Sequence, residues 1–229
     1  MQQKLLGTLT IGQAPRPDVT PVIDRHVPAE VRRIHRGVLD RLSAAEIDAR
    51  FGMAEPGEPV LVTRLADGRV IQLSRRRMRE GVADALGALE AAGCDVILLL
   101  CTGTFEGLEC RQAWLVEPDH VIPGMVAGLI ERRRLGVVVP IASQIASESE
   151  KWRSLPVPPI FASANPYSVD TEAEVQRAGT ELKARGAEAI LLDCIAFTDR
   201  HRTALQPLGV PVILSNAVAA KAVAELLGA

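Results

Sequence analysis

The sequence predicts an α/β fold of two pseudo-symmetric lobes with mostly parallel sheets. Strand-like and helix-like segments alternate along all 229 residues, which is the signature of a parallel sheet with right-handed crossovers. Two of the strands, residues 95–100 and 189–192, are apolar throughout but for Asp95 at the start, as expected of strands covered on both faces. A third observation is an internal repeat. At an offset of 93 residues, nine of the twenty positions from Val82 to Cys101 match their partners, and Cys101 falls on Cys194. Leucines and C-cap glycines recur in any α/β chain, but a cysteine just past both strands is not generic.

The elements follow in order. Residues 5–11 read as a first strand ending at Gly12, and the prolines of 13–17 force a loop. Asp18 is placed to cap a helix to about residue 25, and 31–35 is a candidate strand. Ser43 with Glu46 forms a capping box for a short helix. Residues 60–64 and 69–73 flank Asp67-Gly68, a hairpin signal. A helix over 74–92 ends at Gly93. The second half predicts helices over 122–134, 143–154, 171–185 and 199–206, and strands over 135–139, 160–162, 189–192 and 210–214. Ser215 is placed to cap a final helix to 227. The expected lobes are 1–115 and 116–229, with a return of the final segment to the first lobe left open.

Composition narrows the function. Nearly half the residues are apolar (48%), mean hydropathy is +0.15, net charge is −2 and pI about 6.1. This balance gives no electrostatic footprint for nucleic acid or an anionic membrane, and 3% aromatic residues provide no stacking platform. No cleavable signal is visible after Met1, and the longest apolar run, Val96–Leu100, is far too short to span a bilayer. Four cysteines without a CxxC suggest free thiols in a reducing cytoplasm rather than a disulfide framework or a metal site. No GxGxxG follows the first strand and no P-loop occurs, so nucleotide chemistry is disfavoured.

The candidate site is the pair Cys101 and Cys194. Each sits at the carboxyl end of a buried strand, the edge where open α/β sheets bind ligands. Two thiols facing each other across a cleft can take a proton from one face of a carbon and return it on the other. A single buried cysteine reads more simply as a small apolar residue; the matched pair is the stronger signal. Cys94 and Cys110 have no repeat partner and are expected to be inert. Thr102, Ser215 and Asn216, and Thr10 and Gln13 after the first strand, are candidates to bind a polar substrate group; Ser215 reads equally as a helix cap. Arg75 and Arg76 open a helix where cations oppose the macrodipole, so they are candidates to clamp a carboxylate, with a solvated basic face as the plainer reading. His201 is a candidate to tune a thiol, with a surface position in a charged turn the plainer reading.

Several segments coincide with one family. Leu9-Thr10-Ile11-Gly12, Ser74-Arg75-Arg76, Glu117-Pro118, Gly136 to Pro140, Asn165-Pro166, Leu192-Asp193-Cys194, Arg200-His201-Arg202 and Leu214-Ser215-Asn216 resemble the AroM family over almost the whole chain. AroM-like chains in turn look like distant relatives of the aspartate/glutamate racemase superfamily, which includes racemases, arylmalonate decarboxylases and maleate isomerases. That resemblance implies two lobes with a site between them, and cysteines after corresponding strands, which Cys101 and Cys194 match. Thr102 fits the polar residue after the first cysteine, whereas Ile195 departs from the threonine of the racemases. The implied activity is cofactor-independent, metal-free proton transfer on a small carboxylate by an isomerase, racemase or related lyase. Two alternatives remain: a sensor for a small anionic metabolite, and covalent chemistry at Cys194 alone. A homo-oligomer is left open.

Overall fold

The structure, a computed structural model, describes residues 4–53 and 57–228. Met1–Gln3, where the sequence shows no cleavable signal, lie outside the described residues. The first half runs β1 (Leu5–Thr10), α1 (Thr20–Asp24), β2 (Arg32–Gly37), α2 (Ala44–Phe51), β3 (Val60–Arg64), β4 (Val70–Ser74), α3 (Arg75–Ala91), β5 (Val96–Leu100), β6 (Trp114–Val116) and α4 (Pro118–Ile130). The second runs β7 (Leu135–Val139), α5 (Ile145–Ser149), β8 (Ile160–Ser163), α6 (Thr171–Ala184), β9 (Ala189–Leu192), α7 (Asp199–Leu205), β10 (Val212–Leu214) and α8 (Ser215–Leu227).

Two four-stranded parallel sheets result, with orders β2-β1-β5-β6 and β8-β7-β9-β10. The orders superimpose element by element, so β5 and β9 are equivalent and the lobes are pseudo-symmetric. Alternation along β5 explains its apolar sequence. Ile97 and Leu99 face α3 through Met78, Leu86 and Leu89. Val96, Leu98 and Leu100 face the other way, onto Val19 and Ile23 and onto Ala219, Ala220 and Val223 of α8. Each such side chain contributes roughly 1.5–3 kcal/mol on burial. Small alanines let α8 approach the first sheet, while its Val218 packs against Leu135, Val137 and Leu191 of the second. The final helix is therefore shared by both sheets.

The capping box appears, with Ser43 N–H donating to Glu46 Oε2 at 2.7 Å and Glu46 N–H to Ser43 Oγ at 3.3 Å. The Asp67-Gly68 hairpin also appears, with Gly68 at φ 90°. Other expectations need correction. Asp18 does not cap α1; its carboxylate is held by Arg16. Helix α4 starts at Pro118, not residue 122, because proline is pre-organised for the first helical turn, and it ends at Ile130. Residues 142–144 and 150–152 are 3-10 turns flanking a short α5. β6 is a short edge strand with no expectation behind it. Ser215 is the first residue of α8 and Leu214 is its cap.

No helix among the described residues is long and apolar enough to cross a membrane.

Candidate active site

Both sheets point their carboxyl ends at one cleft. Arg16, Cys101 and Thr102 line it from the first lobe, and Glu148, Tyr167 and Cys194 from the second. The β3 end of the hairpin, Leu61 to Thr63, roofs it. The free volume is about 30 Å³, room for a water or two.

Cys101 follows the last residue of β5 and accepts a hydrogen bond from Gly103 N–H at 3.4 Å. The roof packs closely there: a Cβ at Gly103 would lie 2.7 Å from Leu61 Cδ2 and the leucine would have to shift. Burial pushes the Cys101 thiol up to about 12; the Gly103 N–H and Lys151 oppose, and Cys194 and Glu148 add to the rise. Burial likewise pushes the Cys194 thiol up to about 12, opposed by the Ala196 N–H and the Arg16 guanidinium. All four cysteines are free. Cys94 lies in the core under β1, and Cys110 is partly buried on the first lobe.

Arg16 is the guanidinium of the cleft. It is buried, grips Asp18 with two bonds of 2.8 and 2.6 Å, and reaches Tyr167 Oη and Thr10 Oγ1 at 3.4 Å. Asp18 raises it further as a permanent cation. Burial raises the Tyr167 phenol, so it stays a neutral hydroxyl. An Asx turn from Asn165 Oδ1 to Tyr167 N–H, 2.9 Å, sets the tyrosine's position.

Behind the cysteines lies a buried ion cluster. Lys151 Nζ pairs with Glu148, lies 3.0 Å from Asp193 Oδ2 and 3.7 Å from Asp119 Oδ1, and donates to the Thr102 carbonyl at 2.9 Å. Gln144 crosses the lobes to donate to the Val60 carbonyl at 3.0 Å, pinning the roof. Among the described residues no cluster of three or more His, Cys, Asp or Glu is arranged to hold a metal ion.

Cys101, Cys194 and Thr102 all line the cleft, and the other candidates do not. Thr10 is buried, its hydroxyl accepting from Gly12 N–H at 3.2 Å and from Arg16. The Gln13 amide ties Leu39 O to Ala66 N–H and so anchors the hairpin. Arg75 and Arg76 line a separate surface concavity of about 270 Å³ with Arg79 and Phe105, whereas the guanidinium that lines the cleft is Arg16. Ser215 Oγ donates toward Leu192 O and Asp193 Oδ1 at 3.0 and 3.1 Å, and Asn216 Nδ2 donates to Ile195 O and Phe197 O at 2.9 and 2.6 Å. Both donors are therefore spent on the loop carrying Cys194, while Asn216 Oδ1 has no hydrogen-bond partner. His201 is fully buried rather than on a charged surface. Its Nδ1 accepts from Thr198 N–H at 2.8 Å as the third residue of α7's capping box, and Nε2 faces Thr171 Oγ1. It does not line the cleft. Ile195 sits where Thr102's counterpart would be; it lines the cleft as an apolar residue and packs into the core with Leu98, Leu100 and Ala219.

Sequence reasoning missed Arg16, Tyr167, Glu148, Lys151 and Asp193. The available signals were an arginine between two prolines after β1, an Asn-Pro-Tyr turn after β8, and an acid before Cys194.

The fold has clear relatives among solved structures. The chain is similar to aspartate racemase of Picrophilus torridus (14% identity, TM-score 0.62, 98% of this chain and 94% of that one). It is similar to a glutamate racemase isoform of Bacillus anthracis (14%, TM-score 0.66, 100% and 83%) and to unliganded arylmalonate decarboxylase (14%, TM-score 0.61, 99% and 93%). At that identity the likeness is one of fold. No curated protein matches in sequence. The family described as AroM protein matches residues 6–227.

Proposed function

The chain belongs to the AroM family and has the racemase fold, and on that premise we propose that it is a cofactor-independent isomerase or related lyase acting by proton transfer on a small carboxylate. The observation that carries this reading is that Cys101 and Cys194, placed after equivalent strands, line one cleft together with a buried guanidinium.

The chemistry runs as follows. The substrate carboxylate meets Arg16 and the Tyr167 hydroxyl. One cysteine, as thiolate, removes the proton next to the carboxylate. The electron pair flows into the carboxylate as an enediolate, where Arg16 and Tyr167 stabilise the developing charge. The other cysteine, as thiol, delivers a proton to the opposite face of the carbon. In a lyase the same carbanion would arise by loss of carbon dioxide and be protonated by one cysteine. Burial holds both thiols up, and each has aids to its thiolate: the Ala196 N–H and Arg16 at Cys194, the Gly103 N–H and Lys151 at Cys101. A free volume of about 30 Å³ is smaller than any carboxylate substrate, so on this reading the substrate is a small molecule and the cleft widens to admit it. Free thiols fit a reducing cytoplasm, where this reading places the protein.

The test is interconversion of a panel of small chiral amino-acid and hydroxy-acid enantiomers and unsaturated dicarboxylate isomers. Wild type should interconvert at least one pair, and Cys101→Ser and Cys194→Ser should each abolish it. Turnover that survives both substitutions would overturn the reading.

A further inference from the structure

Three residues lining the cleft keep a buried oxygen without a hydrogen-bond partner: Thr63 Oγ1, Gln144 Oε1 and Asp193 Oδ2. The Asp193 oxygen faces the Lys151 ammonium at 3.0 Å, so its charge is met. The Thr63 hydroxyl packs against Gly12 and, able to donate or accept, reads nothing specific. Gln144, 7% exposed, differs from both. Its Nε2 donates to the Val60 carbonyl at 3.0 Å, and this bond fixes the amide; turned over, it would set two oxygens against each other. Oε1 is thus an acceptor held in one direction, out of water and unpaired. Such a group is costly, and in a cleft a ligand can supply the missing donor.

The place of Gln144 in the fold narrows that donor. Gln144 and Glu148 lie one turn apart and both line the cleft, but the Glu148 carboxylate is taken by Lys151. The amide is therefore the uncommitted acceptor of that wall. The roof it meets breaks the pseudo-symmetry: the first lobe joins β2 to α3 through α2 and the β3–β4 hairpin, whereas the second joins β8 to α6 by residues 164–170 alone. Gln144 is where the second lobe meets an element that only the first possesses. Elsewhere in the cleft the Arg16 guanidinium and the Tyr167 hydroxyl suit a carboxylate. A carboxylate has no hydrogen to give Gln144, so the group that meets the amide is a different substituent of the ligand.

We propose that Gln144 is a specificity-determining residue: its amide oxygen accepts a hydrogen bond from a hydroxyl or ammonium that the substrate carries beside its carboxylate. Its role rests on the carboxylate reading of the cleft and adds the substituent to it. A hydroxyl or an ammonium pairs with the amide oxygen, whereas a methyl group of the same size leaves it dry and unpaired. One amide thus does two things. Its nitrogen holds the roof, and its oxygen selects what lies beneath.

Binding reads this without any activity. Malonate and its 2-methyl, 2-hydroxy and 2-amino derivatives share one skeleton and differ in that substituent alone. Titration calorimetry of wild type should give a Kd about tenfold or more lower for hydroxymalonate or aminomalonate than for methylmalonate, and the tighter of the two names the donor. Gln144→Lys keeps a donor for the Val60 carbonyl and removes the acceptor; Gln144→Met removes both. In each variant the preference over methylmalonate should fall to within about threefold, whatever the absolute affinity. A role confined to holding the roof would weaken the whole series alike in Gln144→Met and leave the preference intact, and that result overturns the proposal. So does a wild type that binds methylmalonate as tightly as the hydroxy and amino forms, a comparison that needs no variant and would mean that the amide meets only water. Wild type binding none of the four would reject the carboxylate reading and the proposal together; four ligands bound equally and lost in Arg16→Met would reject Gln144 alone.

Discussion

The Lys151 ammonium donates to the Thr102 carbonyl at 2.9 Å, so a side chain of the second lobe holds the residue that follows Cys101 in the first. The same ammonium lies 3.0 Å from Asp193 Oδ2, next to Cys194. One buried charge thus fixes the backbone on both sides of the cleft, and the spacing of the two thiols depends on it.

Lys151→Met should therefore be among the more destabilising substitutions in the chain. It leaves buried carboxylates without a counter-charge, which costs about 3–5 kcal/mol at neutral pH. Burial pushes the Glu148 carboxyl up and Lys151 opposes, so removing the ammonium lets it rise further. The deficit should consequently shrink as pH falls and it protonates. Urea unfolding at pH 7 and at pH 5 measures both effects, and a variant as stable as wild type at both would show the cluster to be idle.

His201 predicts an acid-sensitive stability. Burial, with Arg200 adding, lowers its pKa from 6.5 to about 4. The folded state keeps the ring neutral, so its stability contribution is whole above pH 6.5 and is lost as pH falls toward 4, where only the unfolded chain takes up the proton. The loss should reach about 2–3 kcal/mol. Gln retains the capping acceptor at this position without titrating. Equilibrium unfolding from pH 7 to pH 4 should accordingly be steeper for wild type than for His201→Gln; parallel curves would mean that the histidine charges freely in the fold.

Anion binding should follow Arg16. A small dicarboxylate such as malonate should raise Tm, since a ligand bound only by the folded state stabilises it. The gain, taken from each variant's own baseline, should fall by more than half in Arg16→Met and persist in Arg75→Ala and Arg76→Ala. Equal gains in Arg16→Met and wild type would remove Arg16 from substrate binding.

The resting thiols should be sluggish. With both cleft cysteines pushed from 9.0 to about 12, their thiolate fraction lies about a thousandfold below that of an ordinary thiol. Cys110 is pushed only to about 11 and is partly exposed. Iodoacetamide should modify Cys110 before Cys101 or Cys194 in the ligand-free protein. Cys194 reacting faster than a free thiol would instead favour covalent chemistry at that residue alone.

The regular fold was readable where one local rule decides the outcome. β5 and β9 are apolar runs between a glycine turn and a cysteine, the hairpin carries Asp-Gly, and α2 carries its capping box. The start of α4 was hidden because Pro118 and Pro123 look like breakers, although the first is favourable at a helix start and the second is tolerated inside. In the site, the repeat located the two cysteines because it is a pattern in sequence. Arg16, Glu148, Lys151 and Tyr167 come from three separate segments, and only the closure of one lobe on the other joins them. His201 lies between charged neighbours, yet its place in the first turn of α7 aims the ring inward at Phe197, 5.3 Å between centroids.

Proton exchange in D2O tests the central claim most directly. Each form of an interconverted substrate is incubated with wild type, Cys101→Ser, Cys194→Ser and the double variant, and the proton next to the carboxylate is followed by NMR. A two-thiol site predicts that wild type exchanges the proton starting from either form. Each single variant should exchange it from one form only, the two variants serving opposite forms, because each retains the thiol on one face; the double variant should be silent. Both single variants exchanging the same form, or the double variant exchanging either, would contradict a site built on Cys101 and Cys194.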